Sequence, residues 1–588
     1  ERASRIGISV RDHFCETIDQ GGKKLRCPHF AGCPYLAQFQ TNATHLFLAT
    51  SYMSLPAPNG TECDWRVVDE TFFDEFVPIR KISAASFTAP REFFPPSKET
   101  EHEALLKAAS KVLAALIDRR SPVALNFTVE ELRGYANLEQ EAEAPRAHVA
   151  PDQEFCLQSL AVGEAEERHR QVSLFSAIWT ILADAREAGL KDTERLRILN
   201  KHDKHHIQIM RRKPLKLDQP MLVLDADADE EILRALGCDV LATHDLKLRP
   251  NAIVTQLHDR RMTSGALLRQ PELRESWRRI VTREVLRDRA ARGGGVLVGA
   301  TRKVVQAFFE DAGHSFEGKT KADISTFMLD TPLHGAHWLW FGGRSLGSNR
   351  YEDCSSVIVI GREELPVEAL EDRGCALWGD TPEAPIERIE ADHLGNRCMP
   401  ELEVPYEMTD GSQMAVLVPC HPDHRVRRLQ SQSRELATRQ LIERLRLARA
   451  AYPKRVLLGC NVPIPGIPVD ALVSWQDICV ERVDAAVCDG LLNQGGVRLS
   501  AEGLAQAGPK IFKTTSTAKE HLKRNTRGRD RLKSPGTWYE FGDIQIVKLR
   551  MARPNAREEF ALVDAQDRKE AEAISERLWG PLRSCSPA

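Results

Sequence analysis

Apolar positions along this chain recur in two ways. Between about 100 and 212 they fall at helical spacing. Ala104, Leu105 and Leu106 with Val112, Leu113, Leu116 and Ile117 form one stripe, and residues 174–190 repeat it, as on helices that bury a single face. Elsewhere they come as short unbroken runs at 67–68, 221–224, 293–299, 337–341, 357–361, 414–418 and 455–458, separated by helical patterns such as 230–236 and 302–312. Runs of four to six apolar residues between helices predict parallel strands buried on both faces. The expected fold is therefore α/β, with a core interrupted by a helical block. Pro90 and Pro95-Pro96 close a first segment, 1–84. A helical insertion over 85–215, a return to the core over 216–285, a second α/β segment over 286–475 and a module over 476–588 follow. That last module, with short helices at 499–507 and 518–522 and a strand pair near 538–549, reads as small, α+β and winged-helix-like.

At 588 residues the chain has material for roughly three to five domains. A net charge of −3 excludes a uniformly basic nucleic-acid binder while leaving room for a local basic groove. The candidates for such a groove are Arg211, Arg212 and Lys213, which follow a His- and Lys-rich stretch at 201–206, and Lys523, Arg524, Arg527 and Arg529. No run reaches the about 18 apolar residues of a membrane span, and Glu1-Arg2-Ala3-Ser4-Arg5 is not a signal peptide. Fourteen cysteines scattered along a long chain fit a reducing compartment, so a soluble, cytoplasmic protein is expected. The missing initiator Met is read as a truncated or processed N-terminus.

Two stretches carry candidate chemistry. The strand Val67-Val68 ends in Asp69-Glu70, and adjacent carboxylates at a strand end suit a nucleoside triphosphatase, the first holding Mg²⁺ and the second polarising the attacking water. Upstream, Cys15 is followed by Cys27-Pro-His and Cys33-Pro-Tyr, and Cys63 lies just before the acidic pair. Thiols at this spacing, in a chain without a secretory signal, read as metal ligands, for zinc or for an iron–sulfur cluster alike. His13 and His29 are further candidate donors. The stretch 313–320, Gly-His-Ser-Phe-Glu-Gly-Lys-Thr, satisfies GxxxxGK[ST]. A phosphate loop, however, leaves a buried strand and opens a helix, whereas 304–312 reads as an amphipathic helix. The match is taken as a coincidence, with Lys319 a loop lysine.

The order of these parts resembles superfamily 2 DNA helicases of the XPD/DinG iron–sulfur type, particularly divergent helicase-like proteins of mobile elements. The resemblance covers roughly 10–475. It rests on Cys15, Cys27 and Cys33, then Asp69-Glu70, then the helical block, then Leu224-Asp225-Ala226-Asp227 in the place of the coupling motif. Gly347-Ser348-Asn349-Arg350 ahead of 357–361 stands for the fifth motif, and Gln440-Leu-Ile-Glu-Arg444-Leu-Arg446 for the sixth.

The resemblance implies two RecA-like lobes with parallel sheets, a helical insertion in the first, ATP and Mg²⁺ as ligands and single-stranded or forked DNA as partner. Replication or repair proteins would be further partners. It implies that Asp69 and Glu70 serve hydrolysis, that Gln440 and Arg444 sense the γ-phosphate, and that Asp225 and Arg446 contact the nucleotide machinery. Cys15, Cys27, Cys33 and Cys63 would hold an iron–sulfur cluster, or zinc, as a rigid wedge. The departures are a phosphate loop missing from its place, either upstream of Glu1 or lost, a natural grouping of only three cysteines, and a second arginine of the sixth motif one position early. The chain as given is therefore expected to hydrolyse ATP negligibly. The rival readings are a catalytically inactive nucleic-acid-binding protein on a helicase scaffold, and a metal-stabilised interaction protein with unrelated α/β domains.

Overall fold

The stripe read at 174–190 lies on the helix Phe155–Glu187, where Leu174, Ile178 and Leu182, one turn apart, are buried with Trp179. This is a computed structural model. It describes the chain except residues 1, 7, 19–20, 38–43, 55–62, 70, 92–93, 95, 142–148, 202–203, 246–248, 343–348 and 542–543. It divides into a first unit of 1–245, 366–398 and 421–429, and a second of 246–365, 399–420 and 430–588.

In the first unit, Phe155–Glu187 packs with Glu99–Ile117 and Val129–Glu141 around Leu105, Val112, Phe87 and Trp179. A charged pair lies within this helical core. Glu139 is fully buried and takes two hydrogen bonds from Arg91, at 2.8 and 2.7 Å, and one from the Trp179 indole at 3.2 Å. Strands β1 (Glu16–Ile18) and β2 (Lys24–Arg26) form an antiparallel hairpin. Strand β3 (Arg66–Asp69) pairs in parallel with a distant strand described below. Strands β4 (Ile79–Ser83), β5 (Leu196–Lys201) and β6 (Lys204–Met210) make an antiparallel sheet in the order β4-β6-β5. The basic end of the expected helical block is thus a β-hairpin. Leu196 packs on one strand, and Ile207 and Ile209 alternate on the other, all buried against the helices, and that period of two outweighs the flanking charges. Strand β7 (Met221–Leu224) runs parallel to β3.

The stretch expected to finish the first lobe, 216–285, is divided between the units. Strand β8 (Ala252–Leu257) belongs to the second, where it joins β9 (Val296–Ala300), β10 (His337–Trp340), β11 (Ser356–Ile360), β14 (Lys454–Gly459) and β15 (Ala471–Val473) in one parallel sheet of order β10-β9-β11-β14-β8-β15. Every residue of β9 and β11 is buried, as expected of strands covered on both faces. Val296, Val298, Ile358 and Ile360 meet Trp277, Ile280 and Val281 of the helix Pro271–Ala290 on one side. On the other, Leu297, Val357 and Val359 meet Leu441, Ile442 and Leu445.

Two glycines make these approaches possible: a Cβ on Gly299 would stand 2.5 Å from the Leu441 methyls, and one on Gly459 2.5 Å from the Trp277 ring. The run expected at 414–418 is no part of this sheet. As β13 (Ala415–Pro419) it pairs antiparallel with β12 (Glu401–Pro405), whose alternate residues are exposed.

The C-terminal module is a sheet of β16 (Gly496–Arg498), β17 (Ile544–Met551), β18 (Glu558–Asp564) and β19 (Leu582–Pro587), antiparallel in the order β16-β18-β17-β19. Residues 538–541, read as part of a strand pair, belong to the 3₁₀ helix Pro535–Phe541 instead. Val483, Val487, Phe512 and Leu562 share one core with Trp277 and Val296, so the module is built onto the second unit. Arg278 of Pro271–Ala290 bonds Asp489 of Arg482–Gln494 at 2.6 and 3.0 Å.

Near this contact His334 sits in a turn with φ +56°. Burial first, and then the Arg278 charge, push its pKa down to about 4. Because the unfolded imidazole titrates near 6.5, this group's contribution to stability is complete above about 6.5 and is lost as the pH falls through about 4. The urea midpoint is expected to drop between pH 7 and pH 4, and His334→Asn, which keeps a residue tolerant of left-handed backbone, should flatten that drop. An equal pH slope in the variant would show that His334 is not the titrating group.

Candidate functional site

The register of β3 on β7 sets Asp69 beside Leu224, so the acidic strand end and Asp225 emerge together. Thr71 donates to Asp225 Oδ2 at 2.8 Å, and the Asp227 N–H donates to Oδ1 at 2.9 Å. Asp69 is exposed and forms no ion pair among the described residues, which leaves its oxygens open to a hard divalent cation. Glu70 lies outside the described residues. The same register puts Val67, Leu222 and Leu224 on the exposed face with Asp69. Thr71 was not singled out from the sequence; its bond to Asp225 depends on the pairing of β3 with β7.

In the second unit, Ala437–Ile442 carries Gln440, and the 3₁₀ turn Glu443–Leu445 carries a buried Arg444. Arg446 follows in left-handed backbone, φ +52°, and its Nε donates to Asn349 Oδ1 at 3.2 Å. The two stretches nominated separately as fifth and sixth motifs are therefore in contact. This end of the helical stretch lies at the amino-terminal edge of the parallel sheet, since the Leu445 carbonyl accepts from Lys454 at the start of β14, at 2.9 Å, and the Leu447 carbonyl from the Asn251 N–H ahead of β8.

The opposite, carboxyl-terminal edge is met by Gln430 and Arg434, which repeat the i, i+4 spacing of Gln440 and Arg444 ten residues earlier. Gln430 donates to Glu364 at 3.0 Å and to the Pro419 carbonyl at 3.1 Å. Arg434, only 2% exposed, donates to Pro419 at 2.7 Å and to Glu435 at 2.6 Å. Burial drives the Glu435 carboxyl upward against the pull of Arg434. Both residues sit at or beside a π-helical turn, Gln432–Leu436, a local widening that often marks functional sites. Sequence reasoning passed over them; the repeated Gln-x₃-Arg spacing was the available signal.

The cysteines are partly gathered. The β1–β2 hairpin brings Cys27 to Cys15, with the Cys27 N–H on the Cys15 carbonyl at 3.0 Å, and the turn Phe30–Gly32 leads into Cys33. Burial first, then the neighbouring Cys33 and Cys27, push the Cys15 thiol up, and the Tyr35 hydroxyl is pushed up by burial and by Cys15 among others. A cation would relieve that mutual repulsion by holding the thiolates, so the donor chemistry fits a thiolate-bound centre. Among the described residues, however, no group of three His, Cys, Asp or Glu is arranged to hold a metal. Cys63 is half-buried ahead of β3.

The two basic groups differ. Arg211 is half-buried, bonds Ser173 at 3.1 Å, and is pushed down by burial and by Arg195. Arg212 reaches the Ala235 carbonyl at 2.6 Å, and the exposed Lys213 donates its backbone N–H to Phe76. Lys523, Arg524, Arg527 and Arg529 are all exposed, Arg524 pairing with Glu520 at 2.7 Å. The 313–320 loop follows the helix Arg302–Asp311, and the Lys319 ammonium lies over the rings of Phe316 and Phe327 at 5.7 and 5.1 Å. Thr320 caps the next helix through Asp323, so this loop is a helix–helix connection. No helix among the described residues is long and apolar enough to cross a membrane. No protein-family model matches the chain, and no curated protein is significantly similar to it.

Proposed function

We propose that this protein is a helicase-like, nucleic-acid-dependent ATP hydrolase, with Asp69 holding Mg²⁺, Glu70 positioning water, and Gln440 and Arg444 sensing the γ-phosphate. The observation that carries the reading is the Arg446–Asn349 contact. Two stretches 97 residues apart in sequence, each nominated on its own, meet on one parallel α/β unit. The pairing of β3 with β7, which sets Asp69 opposite Leu224, the residue before Asp225, supports it independently. Ligands of open α/β sheets bind at the carboxyl edge of the strands, the edge that Gln430 and Arg434 meet, and Arg444 is set back from it toward the amino edge.

The test is DNA-stimulated ATP hydrolysis by a longer form that carries a Gly-Lys-Ser/Thr loop ahead of Glu1, with Asp69→Asn expected to remove it. A longer form that folds, binds DNA and still shows no turnover would overturn the enzymatic reading. One observation favours a second reading, a nucleic-acid-binding protein that hydrolyses nothing: the lysine of the GxxxxGK[ST] match is held on aromatic rings.

Cys15, Cys27 and Cys33 are proposed to hold an iron–sulfur cluster or zinc. Anaerobically purified protein is expected to be brown, and Cys27→Ser with Cys33→Ser to abolish the visible absorption. Colourless protein with stoichiometric zinc would replace the cluster and keep the site, whereas metal-free protein of unchanged stability would remove the site altogether.

A further inference from the structure

Residues 508–533 carry nine Lys and Arg against two acids, a net of +7 in a chain whose total is −3. Two helices, Thr515–Arg524 and Thr526–Lys533, meet here in an elbow at Asn525. The elbow is fixed from beneath. Asn525 caps the second helix by accepting from the Gly528 N–H at 3.0 Å, while its Nδ2 donates to Glu481 at 3.0 Å. Gly528 lies so close to Val483 that a Cβ would stand 2.9 Å from it. Arg531 turns inward to Asp484 at 3.3 Å and covers the buried Trp538 at 4.1 Å. The outward side is left to Lys513, Lys519, Lys523, Arg527 and Lys533, all exposed, none in an ion pair among the described residues.

We propose that this elbow docks the phosphate backbone of duplex nucleic acid. The proposal rests on the nucleic-acid part of the reading above and not on ATP hydrolysis. Charge complementarity selects a polyanion. What selects a duplex over a single strand is the placement of the aromatics. Sequence-tolerant binding of single strands relies on bases stacking on exposed rings. Here Phe512, Trp538 and Phe541 are buried, at 0, 1 and 3% exposure, and His521 packs against Phe512 at 5.4 Å. Among the described side chains the patch therefore offers cations without a stacking platform. A rigid array of unpaired cations suits the regular phosphates of a duplex, which present a charge every ~1.7 Å of axis. Such contacts position without reading sequence.

The experiment measures binding of the full chain to a fluorescent duplex and to one of its strands across a salt series, for wild type and for K519E/K523E/R527E, with far-UV circular dichroism confirming the fold. Wild type is expected to prefer the duplex, and the variant to lose about 2.7 from the magnitude of the duplex log–log salt slope, at about 0.9 per phosphate contact, with single-strand binding little changed. If wild type binds nucleic acid and the variant binds the duplex equally well with the same slope, the elbow proposal fails while the broader reading stands. A defect confined to single strands also overturns it, as does binding of polyglutamate but not of duplex. If wild type binds neither duplex nor single strand, the proposal and the nucleic-acid reading fall together.

Discussion

Arg444→Ala, in any form of the protein that hydrolyses ATP when DNA is added, is expected to lower that turnover by about 10³-fold, the lower end of what an arginine on transition-state charge contributes. ATP binding should persist, because the interaction belongs to the transition state rather than the ground state. Arg444 is buried, so a fall in turnover could also come from a damaged fold. Arg434→Ala separates the two causes. Arg434 donates to the Pro419 carbonyl and to Glu435, whose carboxyl is buried. Its removal leaves a carboxylate without its counter-charge, an effect of about 3–5 kcal/mol on stability. The expected pattern is therefore an Arg444→Ala whose folded molecules have lost turnover and an Arg434→Ala that is the less stable of the two. If Arg444→Ala melts early and its turnover per folded molecule is unchanged, Arg444 is a packing residue. Lost turnover in Arg434→Ala at unchanged stability would move the sensing role ten residues upstream, to the carboxyl edge of the sheet. Residues 1–588 alone should hydrolyse ATP at background, with Lys319→Ala making no difference.

What could be read from the sequence was whatever a single periodicity decides. The runs at 296–300 and 357–360 are unbroken because both their faces are covered, and burial on both faces is what an uninterrupted apolar run reports. Direction and partner are not written in such a run. The 415–419 stretch looks the same, but its partner, Glu401–Pro405, alternates with charge and takes it into an antiparallel hairpin. The 196–210 hairpin is hidden for the opposite reason: the Lys- and His-rich sequence at 201–206 interrupts its alternation, and its charge masks the period of two.

The site was legible only in pieces. Asp69, Asp225, Asn349 and Arg446 stand out locally, but that the ends of β3 and β7 emerge side by side follows from register, and that Arg446 meets Asn349 follows from a left-handed turn at Arg446. Neither is a property of a sequence window. Burial of Gln430 and Arg434 was illegible because a periodicity argument counts arginine as solvated. A buried arginine is specified by its acceptors, here a carbonyl after β13 and two glutamates brought from 364 and 435.

Glu139→Ala is expected to be the most destabilising substitution in the helical block, by about 3–5 kcal/mol, a large part of the 5–15 kcal/mol that holds a typical domain together. The carboxylate is 0% exposed and the Arg91 side chain 7%. Two hydrogen bonds join them, and the guanidinium also donates to the Phe87 carbonyl at 3.0 Å and lies over the Phe175 ring at 4.3 Å. Truncating Glu139 leaves Arg91 buried, charged and tied to the core, and strips the Trp179 indole of its acceptor. Glu139→Gln keeps an acceptor without the charge and should fall between wild type and Ala. Removing both charges with apolar residues, Arg91→Met with Glu139→Leu, should recover most of the loss, because the main effect is the stranded charge rather than the absent pair. Urea denaturation followed by circular dichroism gives the total, and hydrogen exchange over 99–187 shows whether the loss is local. A Glu139→Ala protein within about 1 kcal/mol of wild type, or a double variant no better than the single one, would mean that water reaches Arg91 and that the helical block is held by its apolar stripe alone.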